Sequence, residues 1–220
     1  GIDDLRPGDS NSFYNLTLDD SNGGADTTWI LLSDLNVDGT LRVLDGTLDV
    51  NVSQNRPIFV AGSWEVNAAG VFTAQTATVT FDGAAGQTIT MVDDNFYDVI
   101  VTNGSSSTVA FVGGTTFNSF TSTVANTALT FESGETFTIS DTLDLNGQAA
   151  GSRIVIVSSD GSSRFTFDVT GGLQTVSYVD VSNSQASSND IRAQNSVENR
   201  NTDTLEGSPR WILGPLRGAV

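Results

Sequence analysis

The chain contains no cysteine, no histidine and no lysine. Without cysteine there are no disulfides, no thiolate nucleophile and no cysteine-based zinc or iron–sulfur site. Without histidine the commonest general base and the usual transition-metal ligand are gone. Without lysine neither Schiff-base chemistry nor a P-loop cation is available. Nine arginines are therefore the whole cationic complement, set against 26 Asp and Glu residues for a formal charge of −17. A surface of that sign repels nucleic acid and anionic membranes, so no nucleic-acid partner is expected. Apolar runs are short, Ile154-Val155-Ile156-Val157 being typical, so no membrane insertion is expected. No charged-then-apolar leader opens the chain and Gly1 is not an initiator methionine; the expectation is a removed leader or a segment of something longer.

What is present is β-forming. Hydrophobic residues make up 38 % of 220 positions and glycines number 22, enough to fold and bury a long core. No stretch has convincing helical periodicity. Short β-branched and aromatic runs predict strands at 13–18, 28–32, 40–44, 47–52, 57–60, 64–67, 71–81, 87–92, 96–102, 107–112, 128–132, 135–145, 152–158, 163–169 and 173–182. Between them stand Asp38-Gly39, Asp45-Gly46, Asn103-Gly104, Asn146-Gly147, Asp160-Gly161 and Gly171-Gly172, read as corners or reversals that use positive φ.

Phrases also recur. Phe13-Tyr14-Asn15-Leu16 returns as Phe96-Tyr97-Asp98-Val99 and, degraded, as Tyr178-Val179-Asp180-Val181, at near-equal spacing. Gln87-Thr88-Ile89 precedes the second copy and Gln174-Thr175-Val176 the third. Self-similarity of this kind signals stacked units. The polar-then-aliphatic order in each copy implies one wet and one buried face.

Two architectures compete: a β-sandwich, or a pair of them, and a parallel β-helix whose coils of roughly twenty residues stack about 4.8 Å apart. The second is favoured by Asp38-Gly39-Thr40-Leu41 followed at once by Asp45-Gly46-Thr47-Leu48, and by aliphatics outnumbering large aromatics, as a narrow interior demands. On these phrases, and on the closing Tyr178 to Ser184, Ile191 to Ser196 and Trp211-Ile212, residues 12–212 resemble the right-handed β-helix repeats of large bacterial surface and secreted proteins, and more loosely autotransporter passengers. The resemblance implies a stiff solenoid with Trp211 plugging its end. The organisation expected is a loop-like extension over 1–12, one β-helix over 13–211 with repeats starting near 13, 96 and 178, and an apolar connector over 212–220.

Carboxylates are the remaining catalytic resource. Asp19-Asp20 and Asp93-Asp94 are adjacent in sequence, so within a strand they would face opposite ways; they read as strand-end turn residues. Asp34, Asp38, Asp45 and Asp49 would collect Ca²⁺ if they laddered along one corner, but they lack the glycine–aspartate nonapeptide repeat of calcium-binding rolls. The arginines are scattered from Arg6 to Arg217. Trp29, Trp64 and Trp211 sit in alternating runs and read as core or cap. Thr76 to Thr80 and Thr136 to Ile139 suggest flat threonine arrays of the kind that dock to ice, or ordinary outward strand residues. Asn15, Asn51 and Asn103 head Asn-X-Ser/Thr triplets.

No catalytic, cofactor-binding or metal residue is assigned, and Ca²⁺ is the only cofactor considered. The expected function is non-enzymatic: an extracellular or cell-surface structural and adhesive segment, or filament subunit, whose partners are further copies joined end to end or other cell-surface material. The alternatives are a carbohydrate-active β-helix enzyme using Asp carboxylates, and an ice- or carbohydrate-binding module.

Overall fold

A computed structural model describes residues 1–6, 12–21, 27–104, 107–200, 202–203 and 207–214. These form 24 short strands and no helix. In chain order they begin with β1 (Ile2–Leu5), β2 (Leu16–Leu18), β3 (Thr28–Leu31), β4 (Leu35–Val37), β5 (Leu41–Val43), β6 (Gly46–Asp49), β7 (Ile58–Val60) and β8 (Trp64–Val66). Next come β9 (Gly70–Thr73), β10 (Thr78–Phe81), β11 (Gln87–Met91), β12 (Asp98–Val101), β13 (Thr108–Val112), β14 (Thr116–Ser122), β15 (Ala128–Phe131) and β16 (Thr136–Leu145). The last are β17 (Ile154–Ser158), β18 (Phe165–Val169), β19 (Gln174–Ser177), β20 (Val179–Ser182), β21 (Ser184–Ser187), β22 (Ile191–Gln194), β23 (Val197–Asn199) and β24 (Trp211–Gly214).

Every strand pairs with strands from neighbouring coils, and always in parallel, as between β10 and β12 or β15 and β17. The result is a parallel β-solenoid of about nine turns. Among the described residues no strands pair antiparallel, so the sandwich alternative falls. The nine-stranded sheet β2-β5-β8-β11-β13-β15-β17-β20-β23 runs the length of the stack. The eight-stranded sheet β4-β7-β10-β12-β14-β16-β18-β21 forms a second side. A third side is built in two pieces, β1-β3-β6-β9 in the early coils and β19-β22-β24 in the late ones.

Alternation explains the sides. In β5, β8 and β13 each inward residue is buried and each outward one is not, which is the two-residue period of a pleated strand with one wet face. The three copies of the recurring phrase keep that order: Leu16, Val99 and Val181 are buried while Asn15, Asp98 and Asp180 face out. They do not share a ladder, however, for Leu16 and Val181 lie on the nine-stranded sheet and Val99 on the eight-stranded one.

The interior changes character along the axis. The first coils are aliphatic, with Leu31, Leu35, Val37, Leu41, Val43 and Leu48 fully buried. From Trp64 onward aromatic rings join the aliphatics, which still outnumber them among the buried residues. Trp64 meets Phe72 edge-on at 4.8 Å, Phe111 and Phe131 stack at 5.2 Å, and Phe131 stacks on Phe165 at 4.9 Å. Each such ring removed from water contributes about 1.5–3 kcal/mol, with more from the offset-stacked and edge-to-face geometry. Trp211 closes the series, fully buried, 6.3 Å from Phe167, its Nε1–H donating to Ser184 Oγ at 3.1 Å.

Corners account for the remaining differences. The run 71–81 is two strands, β9 and β10, and 173–182 breaks at Tyr178, whose φ of 51° turns the chain between β19 and β20. Residues 1–12, expected to be loop-like, contribute β1, which pairs with β3. Ile212 and Leu213 of the apolar C-terminal stretch extend the ladder through β24 beside β22; 215–220 lie outside the described residues. Gly39 does not serve a positive φ. The methyl of any larger residue there would overlap the Tyr14 carbonyl, and at Gly62, one coil on, it would overlap Gly39. These glycines let successive corners nest.

Candidate binding surfaces

The carboxylates singled out from the sequence are dispersed. Asp19 accepts from the Ser21 N–H at 2.9 Å and Asp20 from the Thr27 N–H at 2.7 Å, so both are turn residues. Asp34, Asp38, Asp45 and Asp49 sit around successive corners and do not form a ladder. Asp34 pairs with Arg56 at 3.3 Å, Asp38 accepts from Ser12 Oγ at 3.0 Å, Asp45 from the Gly46 N–H at 2.9 Å, and Asp49 from the Asn51 N–H at 2.8 Å. Among the described residues no group of three or more acidic side chains is arranged to hold a metal ion.

Asp94 has a distinct task. The short sheet β1-β3-β6-β9 ends at β9, leaving the Phe72 N–H without a strand neighbour, and Asp94 Oδ2 accepts it at 2.7 Å. Burial pushes the Asp94 carboxyl above its ordinary value; the Phe72 hydrogen bond opposes the shift and the Asp93 charge adds to it. Asp160 shows the opposite environment. The Ser162 and Ser163 N–H groups each donate to it at 2.8 Å, and Ser133 Oγ donates from the coil before at 2.9 Å. Those bonds hold its carboxyl well below the usual carboxylate range.

The threonine runs do not make a continuous array. Thr78 and Thr80 of β10 face Asp98 and Ile100 on one side, and Thr138 of β16 faces Asp168. A different face is uniform. On β11, β13, β15 and β17 of the nine-stranded sheet the outward residues are Thr88 and Thr90, then Thr108, Ala110 and Val112, then Ala128 and Thr130, then Val155 and Val157. Registers put Thr88, Ala110, Thr130 and Val157 in one row across four coils. No charge interrupts these strands, whereas Arg42 and Glu65, paired at 2.9 Å, stand before them and Asp180 after them. The sequence signal was alternation itself, but only the register reveals the shared row.

The tryptophans take the core positions expected of them: Trp64 and Trp211 are buried and Trp29 packs against the core from the first coils. Asn103 is buried, donating its amide to the Ala85 carbonyl at 2.7 Å, so it is not accessible as a glycan acceptor. Asn51 and Asn15 support turns, through the Leu31 carbonyl and the Thr40 N–H respectively.

A concavity of about 720 Å³ lies over β4 and β7 and is lined by Arg6, Leu32, Asp34, Asn36, Arg56, Phe59 and Asp82 among others. Asn36 and Phe59 are cross-coil partners on the outer face, with Thr80 next in the row. Burial raises the Asp82 carboxyl from its ordinary value, its own backbone N–H opposing and Asp38 adding to the rise. The residues come from several coils, so no local motif marks them. A second groove, over Asp93, Asp94, Asn95, Thr115, Thr116 and Glu135, is polar and acidic.

Comparison with known proteins gives no match: no family model, no curated protein and no solved structure is significantly similar to the chain.

Proposed function

We propose that this chain is a non-enzymatic, extracellular structural and adhesive element, a right-handed β-solenoid segment of a bacterial surface protein or filament subunit that associates end to end. The right-handed winding follows the general preference of crossover connections between parallel strands. The observation that supports the reading is the unbroken nine-stranded ladder. It extends about 40 Å, and its terminal strands β2 and β23 each have a strand neighbour on one side only among the described residues. Open edges of parallel sheet accept a further strand by backbone hydrogen bonding. The acidic coat keeps the flanks soluble and apart, which directs association toward the ends.

Sedimentation velocity and negative-stain electron microscopy over a concentration series test this. Particles that lengthen in whole multiples of one rod are expected; a monomer that persists at high concentration overturns end-to-end assembly. Protease treatment of intact producing cells should release peptides of the chain, and release only after lysis overturns the surface location.

A second reading, ice binding, draws on the uncharged Thr–Ala–Val face of β11 to β17. Thermal hysteresis that disappears in Thr130→Glu would favour it, and no hysteresis in the parent protein would dismiss it.

A further inference from the structure

The cleft over β4 and β7 brings groups of both charges together with an aromatic ring. The chain as a whole carries −17, yet two arginines, Arg6 and Arg56, line this hollow with two aspartates, Asp34 and Asp82, while Asp4, 3.9 Å from Arg6, and Asp38, which acts on Asp82, keep its surroundings acidic. Arg56 is held in place, its Nη1 on Asp34 at 3.3 Å and its Nε on Gln54 Oε1 at 2.9 Å. A guanidinium fixed in this way presents its remaining N–H groups in a rigid fork. Phe59 also lines the cleft. Among the described strand residues of the eight-stranded sheet it is the one aromatic ring on the outer face; Phe81, Phe117, Phe120, Phe137, Phe165 and Phe167 all point inward and are buried. This partly exposed ring lies beside Asn36 and Thr80, on the face opposite the inward Ile58 and Val60.

We infer that this cleft is a saccharide-binding site for an uncharged sugar, with Phe59 as the stacking platform and Arg56, Asp34, Asn36 and Asp82 as hydrogen-bonding groups. An apolar ring face meets the C–H face of a pyranose, while planar carboxylate, amide and guanidinium groups pair with vicinal hydroxyls, as donor and acceptor in turn. The volume lies within the range of small-ligand sites. The carboxylates select against an anionic sugar, which would meet Asp34 and Asp82 while the arginines are already paired, Arg56 with Asp34 and Arg6 with Asp4. The inference rests on the adhesive reading above and names what one flank of the rod adheres to.

The test is isothermal titration of the whole chain with hexasaccharides of β-1,4-linked glucose, xylose and mannose, with trigalacturonate as the charged comparison. At least one neutral oligomer should bind, and Phe59→Ala, an outward substitution that leaves circular dichroism unchanged, should weaken it at least tenfold while Phe59→Tyr retains it. Amide chemical-shift changes should centre on Asn36, Phe59 and Thr80. Absence of binding by all three neutral oligomers, equal or tighter binding of trigalacturonate, or indifference to Phe59→Ala would overturn the assignment. Sedimentation of the parent protein separates the two readings: rods that still lengthen while that protein binds none of the neutral oligomers leave the structural proposal standing and remove only this one.

Discussion

At Gly62 the constraint is distance and not backbone conformation. The added methyl of Gly62→Ala would overlap the Gly39 backbone one coil below, and because that neighbour is main chain it cannot swing aside. The expected cost is about 1–3 kcal/mol, read as a lower urea midpoint, whereas Gly134→Ala, with open space around it but a φ of +82°, tests left-handed strain alone. Two aspartates set opposite pH responses. Asp160 is held below its ordinary value by the Ser162, Ser163 and Ser133 hydrogen bonds, so its contribution to stability is present above that ordinary value and is lost as the pH falls. Asp94 is raised by burial; its contribution is largest below the ordinary value, near 3.8, and is lost as the pH rises through its folded value. Urea midpoints measured from acid to neutral pH should therefore change slope in opposite senses in Asp160→Asn and Asp94→Asn, the first losing part of the acid-side decline and the second gaining stability toward neutrality.

The strands show which information was local. Alternation in phrases such as Leu41-Arg42-Val43 or Phe165-Thr166-Phe167 identifies an outward and an inward face wherever the strand ends up, so strand positions and the buried register were legible. Corners were less so. Tyr178 bends the chain at a φ of 51° with no glycine or asparagine to announce it, and β14 and β24 fall in stretches whose pairing depends on coils far away in sequence. The column of rings within the core was hidden for the same reason: Phe111, Phe131 and Phe165 stack only when three coils are brought together. The cleft was least visible, since Asp34, Phe59 and Asp82 are brought together by register between coils. The recurring Gln-Thr phrases acquire a mechanism here. Gln174 accepts from the Leu143 N–H at 3.0 Å and donates to the Asp141 carbonyl at 2.9 Å, standing in for a backbone unit where β16 bends; Gln87 donates to the Val60 and Gly62 carbonyls at 2.9 and 2.8 Å. Replacing Gln174 by Leu leaves those buried groups unpaired, at a cost of about 1–3 kcal/mol, and hydrogen exchange at the Leu143 amide should accelerate with it.

For the whole molecule, contacts are between adjacent coils, so stability is close to a sum of coil terms and neighbour terms. Hydrogen-exchange protection should then peak in the aromatic middle, around Phe111 to Phe137, and decline toward β1 and β24; uniform protection would point instead to a single cooperative unit. The direction of the ladders has a mechanical consequence. Strands lie across the long axis and their hydrogen bonds lie along it, so tension applied between the two chain ends does not shear a whole sheet at once. It peels the outermost loop of chain, then the next, each release lengthening the tether by about 70 Å before the following loop takes the load. A stack built this way yields in steps under load, dissipating work loop by loop while the remainder stays folded.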